Sequence, residues 1–140
     1  MVSNREESLA QFCSVCILMI CILLLAKSEV GCFIGNWFIG ALAYADDIVL
    51  LAPGASAKCA MLHSCDTHFA EQYNVIFNVS KSKCMFFPSK GCHSRRVHCK
   101  PAFYINGGSV EYVEEWLHLG HVISSNLNDK SEIFRGRAAH

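Results

Sequence analysis

Asp46 and Asp47 stand side by side between two apolar runs, Ala41-Leu42-Ala43-Tyr44 and Ile48-Val49-Leu50-Leu51. On a regular strand, neighbouring side chains point to opposite faces, so adjacent carboxylates can share a ligand only at the tip of a hairpin. Apolar flanks would hold them in a partly desolvated place, where like charges repel and one acid tends to protonate. A divalent cation removes that conflict. Mg²⁺ favours carboxylate oxygens and leaves room for phosphate and water. Two such ions can activate an attacking hydroxyl and stabilise a leaving pyrophosphate. An arbitrary Asp-Asp pair is ordinarily an exposed turn, because Asp is a turn former; the nine residues from Ala43 to Leu51 are too apolar for that reading alone.

The elements that must hold this turn can be read from punctuation and periodicity. Gly35-Asn36 predicts a hairpin between Cys32-Phe33-Ile34 and Trp37-Phe38-Ile39. Two buried strands then flank the acidic turn, and Pro53-Gly54 breaks the second. Ser56 is the expected N-cap of a helix running to about Tyr73, with Met61, Cys65 and Phe69 on its inward face. Val75-Ile76-Phe77 and Cys84-Met85-Phe86-Phe87 read as strands around the polar stretch from Asn78 to Lys83. Asn106-Gly107 is the strongest hairpin signal, and Trp116 to Ser124 reads as a last strand.

Composition bounds the answer. With 140 residues, 52% hydrophobic and 17% charged, the chain can bury one modest core and is not a disordered tail. Twelve basic and twelve acidic side chains cancel, which argues against autonomous nucleic-acid binding, since phosphate neutralisation supplies most of such affinity. Cations do gather locally, as Lys81, Lys83, Lys90, Arg95, Arg96 and Lys100 occur with no acid among them. Nine cysteines, three of them (Cys13, Cys16, Cys21) in one apolar run, read as reduced, buried thiols of an intracellular protein, in the cytoplasm or nucleus.

Residues 12–26 form an uncharged apolar run. Spanning a bilayer takes about 20 such residues, so a buried helix is favoured over a membrane anchor. The flanks, Arg5-Glu6-Glu7 and Lys27, are not those of a signal peptide.

The segment Gly40-Ala-Leu-Ala-Tyr-Ala-Asp-Asp-Ile-Val-Leu-Leu-Ala-Pro53 resembles the catalytic palm motif of reverse transcriptases from non-LTR (LINE-type) retrotransposons. Phe77-Asn78-Val79-Ser80-Lys81-Ser82-Lys83 resembles that family's lysine-bearing segment, and Trp116-Leu117-His118-Leu119-Gly120-His121-Val122-Ile123 its primer-gripping segment. Three motifs in the family's order, over about residues 30–130, make the likeness specific. The resemblance implies an α+β fold: a partial palm with an antiparallel sheet, a catalytic-type hairpin and a packed helix. The expected division is 1–29 (apolar helix and flanks), 30–130 (partial palm) and 131–140 (a disordered or truncated end).

The same resemblance implies RNA-directed DNA synthesis in the intact ancestor, on an RNA template and DNA primer, with Mg²⁺ or Mn²⁺. Asp46 and Asp47 become metal ligands. Tyr44 and Ala45 shape the turn beside the primer end, and Leu119 and Gly120 support the primer strand. Lys81 is placed near the incoming triphosphate, with Lys83 the weaker candidate. The family also uses a further Asp on an earlier strand, whereas the only acids before Asp46 here are Glu6, Glu7 and Glu29. Half a set of carboxylates should hold metal weakly, so the expected activity of this fragment alone is nil.

Two other readings start from different residues. A small zinc-binding module would draw on Cys84, Cys92, His93, His98 and Cys99, or on Cys59, His63, Cys65 and His68. Adjacent pairs such as Cys92-His93 suit tetrahedral geometry poorly. A single-pass membrane protein would rest on residues 12–26 alone.

Overall fold

The computed structural model describes residues 3–88 and 100–127. Most of the basic loop (89–99) and the polar C-terminal stretch (128–140) lie outside them, as do Cys92, His93, His98 and Cys99. The fold mixes helix with small, mostly antiparallel sheets in two compact units, Met1–Phe77 and Asn78–His140.

The first unit begins with helix α1 (Ser3–Lys27), longer than its apolar run. Ser28 closes it, its N–H and Oγ bonding back to Leu24 and Leu25 carbonyls. Because residues 12–26 are apolar all round, burying one stripe leaves the rest outside. Leu18, Cys21 and Leu25, at helical spacing, are buried, whereas Val15, Met19, Leu23 and Leu24 are exposed. Among the described residues, no helix is long and apolar enough to cross a membrane.

Two hairpins follow. Strands β1 (Phe33–Ile34) and β2 (Trp37–Phe38) pair antiparallel around Gly35-Asn36, where Gly35 takes φ 58°. Strands β3 (Ala41–Tyr44) and β4 (Asp47–Leu50) form the second. Helix α2 (Ala55–His63) continues through a π-helical segment (Ser64–Ala70) into the short α3 (Glu71–Tyr73). The helical stretch thus spans the expected residues, but its N-cap is Gly54 in extended conformation rather than Ser56. Met61, Cys65 and Phe69 face inward as their spacing requires, and with Cys21, Leu25 and Ala41 they make the core. Full burial of side chains such as Phe69, Met61 and Leu25 is worth about 1.5–3 kcal/mol each. Lys58 Nζ donates to the Leu50 carbonyl at 3.1 Å, fastening α2 to the end of β4.

Val75-Ile76-Phe77 is not a strand. Asn74 adopts the left-handed conformation, and the Val75 N–H bonds the Ala70 carbonyl at 3.0 Å, closing the helix. Val75 and Phe77 then pack against the core from its margin. They are apolar because they cap a core, not because they enter a ladder.

The second unit is built from short ladders. Of the expected 84–87 strand only β5 (Lys83–Cys84) forms. It pairs with β8 (Glu111–Tyr112) in parallel, which the antiparallel expectation did not include. Strands β6 (Tyr104–Ile105) and β7 (Gly108–Ser109) flank Asn106-Gly107, whose φ values of 49° and 71° give the left-handed turn this dipeptide favours. The stretch read as one final strand is instead a hairpin, β9 (Glu115–His118) and β10 (His121–Ser124). Among the described residues, Cys84, Phe103, Ile105 and Val110 are the buried apolar side chains of the second unit. Across the described residues the strands make five separate two-stranded ladders rather than one continuous sheet.

Candidate functional site

Tyr44 pairs with Asp47 across β3 and β4, so Ala45 and Asp46 alone make the connecting turn. Ala45 sits at φ 50°, a left-handed conformation that costs a non-glycine residue about 1–2 kcal/mol. A two-residue turn with positive φ at its first position suits the right-handed twist of a hairpin. Tyr44, Ala45, Asp46 and Asp47 therefore share one apex, as the sequence predicts.

Their surroundings differ from the expectation. Leu42, Ala43, Tyr44, Ala45, Asp46 and Asp47 are all exposed, and only Ile48, Val49 and Leu50 are half-buried. The hairpin is inserted by its base, where Ala41, Ile48 and Leu50 meet the core. Its tip stands in solvent, so apolar flanks do not desolvate the acids as the sequence suggested. Strand residues Leu42 (54% exposed) and Tyr44 (64%) are instead apolar surface.

Carboxylate oxygens suit a hard cation such as Mg²⁺ in type. Among the described residues, however, no group of three or more His, Cys, Asp or Glu side chains could hold a metal ion. The pair is chemically apt and too small in number to make a closed site by itself. The same holds for the alternative zinc ligands that are described. His63 and His68 lie with ring centroids 6.0 Å apart, but Cys59 is exposed and Cys65 buried, and the helix makes no group of three or more ligands among the described residues.

Lys81, Lys83, Leu119 and Gly120 belong to the second unit. Asn78 organises the first two. Its Oδ1 accepts from Ser80 Oγ (2.7 Å) and the Lys81 N–H (3.2 Å), while its carbonyl accepts from Ser82 Oγ (2.8 Å). This Asx-type turn leaves the Lys81 side chain exposed. Lys83 is held differently: its Nζ pairs with Glu111 Oε2 at 2.5 Å and lies 5.9 Å from the Trp116 ring centroid. The two lysines are thereby distinguished, one open to solvent and one engaged. Sequence reasoning missed Glu111 and Trp116 as partners, because separations of 28 and 33 positions along the chain give no local signal.

Leu119-Gly120 does not lie within one strand but is the two-residue turn between β9 and β10, with φ values of 49° and 84° and His118 paired to His121. A leucine at a left-handed position hides the turn from composition-based reading. Leu119 is exposed at the tip.

The cysteines divide by environment. Among the described cysteines, Cys21, Cys65 and Cys84 are buried, Cys16 and Cys59 exposed, and Cys32 intermediate. Cys21 Sγ lies 3.7 Å from Cys65 Sγ in the core. The hydrogen-bonded Cys21 thiol, and then burial, push the Cys65 thiol well above the usual range. No protein-family model, curated protein or solved structure matches the chain.

Proposed function

We propose that the chain is a palm segment of a non-LTR retrotransposon reverse transcriptase, with Asp46 and Asp47 as its catalytic carboxylates. The observation that carries this reading is the hairpin apex. Tyr44-Ala45-Asp46-Asp47 forms a two-residue turn, rooted in a core by Ala41, Ile48 and Leu50 and open to solvent at the acids. An exposed tip is where a nucleic-acid end and a hydrated cation could reach both residues. Asp46 and Asp47 would hold the divalent ion, which when bound supplies charge neutralisation for nucleotidyl transfer. Because the described donor set is incomplete, no catalytic step is assigned to the chain alone.

The remaining residues follow from their settings. Tyr44 and Ala45 shape the turn that the primer end would meet. Lys81, exposed beside the Asn78 turn, is available to a triphosphate as electrostatic stabiliser or proton donor. Lys83 is less suited, since recruiting it would break its Glu111 pairing. The Leu119-Gly120 turn offers a small projecting tip for a primer strand. RNA template and DNA primer are the proposed partners.

A chimera tests this directly. Residues 40–53 are placed at the equivalent hairpin of an active non-LTR reverse transcriptase and primer extension is measured with Mg²⁺. The expected result is retained extension that disappears with Asp46→Asn. A folded chimera without activity would refute the assignment. The chain by itself should bind Mn²⁺ only weakly, with Kd on the order of a millimolar or above, and extend no primer.

A further inference from the structure

Cys21 and Cys65 meet inside the first unit from two helical segments 44 residues apart in sequence. Cys21 lies on the buried stripe of α1, between Leu18 and Leu25. Cys65 lies in the π-helical segment, between Met61 and Phe69 on the inward face. Each is 1% exposed, and their sulfurs are 3.7 Å apart. A disulfide needs the sulfurs at about 2.05 Å, so a closing movement of under 2 Å suffices.

We propose that Cys21 and Cys65 form an intramolecular disulfide site that clamps α1 to the π-helical segment under oxidising conditions. The oxidant is a low-molecular-weight disulfide, of which oxidised glutathione is the probe. One cysteine thiolate attacks a glutathione sulfur, giving a mixed disulfide and releasing one glutathione thiol. The second cysteine thiolate then attacks the protein-bound sulfur of that mixed disulfide. The Cys21–Cys65 bond forms, the protein–glutathione bond breaks, and the second glutathione leaves as its thiol. Two protons pass from the cysteines to the two departing thiolates, and two electrons reduce the oxidant. Burial makes the exchange slow in the native fold and requires the helices to part, or the chain to oxidise as it folds.

The cross-link closes a long loop, so its main effect is to restrict the unfolded chain. The clamp is independent of the polymerase reading, since neither cysteine belongs to the hairpin apex.

The test refolds the full chain in a glutathione redox buffer, blocks residual thiols by alkylation, and maps disulfides by peptide mass spectrometry. A parallel sample is oxidised in strong denaturant. The expected result is a dominant Cys21–Cys65 peptide in the refolded sample and scrambled pairing among the nine cysteines in the denatured one. The oxidised chain should also unfold at a midpoint about 10 °C higher than the reduced chain, a difference abolished in Cys21→Ala/Cys65→Ala. Recovery of both residues as alkylated thiols, or pairing no more frequent than in denaturant, would overturn the site. A flat or lowered midpoint with the bond present would overturn the clamp.

Discussion

Tyr44 and Asp47 face each other as the last pair of the β3–β4 ladder, which forces the whole reversal of chain direction onto Ala45 and Asp46. Ala45 bears the backbone cost, at φ 50°. Ala45→Gly should therefore raise stability by about 0.5 kcal/mol, because glycine removes the Cβ clash while adding unfolded-state freedom. Ala45→Val should lower it by about 1–2 kcal/mol, since a β-branched residue fits positive φ worst. Denaturant midpoints at unchanged slope report both.

Gly40 and Gly54 make a contrasting pair. A Cβ on Gly40 would lie 2.5 Å from Phe38 Cε2 and 3.0 Å from the Cys32 amide nitrogen. Gly40→Ala should cost about 1–3 kcal/mol by overpacking. Gly54 has open space and caps α2 without a side-chain hydrogen bond. Gly54→Asp should gain about 0.5–1 kcal/mol through capping and the helix dipole. Thermal melts of the two variants should move in opposite directions.

Phe69 is fully buried and stacks near Tyr73 and Phe77, with ring centroids 5.2 and 6.3 Å away. Phe69→Ala should cost about 3–5 kcal/mol. For a core this small the expected outcome is loss of cooperative unfolding in the first unit, read by calorimetry.

Glu111 is 67% exposed at its side chain, so its short contact with Lys83 is worth little despite the geometry. Glu111→Gln should change stability by under about 1 kcal/mol, and the difference should shrink as salt is added. A larger loss, unchanged at high salt, would show that Lys83 relies on this partner for more than charge.

Local chemistry was legible in the sequence and distant pairing was not. Gly35-Asn36 and Asn106-Gly107 announce their turns through residue types that accept positive φ. The inward face of 55–73 follows from the spacing of Met61, Cys65 and Phe69. Leu119 occupies the same backbone region as those turn residues without their composition, so its hairpin was read as a strand. Val75 and Phe77 misled in the other direction, since β-branched and aromatic residues can cover a core without entering a ladder. At the acidic turn, sequence placed Asp46 and Asp47 correctly at an apex. It misjudged their environment, because apolar flanks identify burial only if some other element covers them. Lys83 with Glu111, and Cys21 with Cys65, were invisible for a simpler reason: each pair depends on how far-apart segments close.

Both indole rings of the chain are on its surface, Trp37 at 80% exposure and Trp116 at 38%. Trp37 emission is then that of a wet fluorophore whether or not the interior around Phe69 is intact. Trp37, beside the first hairpin turn, should be readily quenched by iodide in the folded chain. Blue-shifting and shielding of that signal would report a molecule settling over the first hairpin, which makes this ring a built-in optical probe of docking rather than of folding.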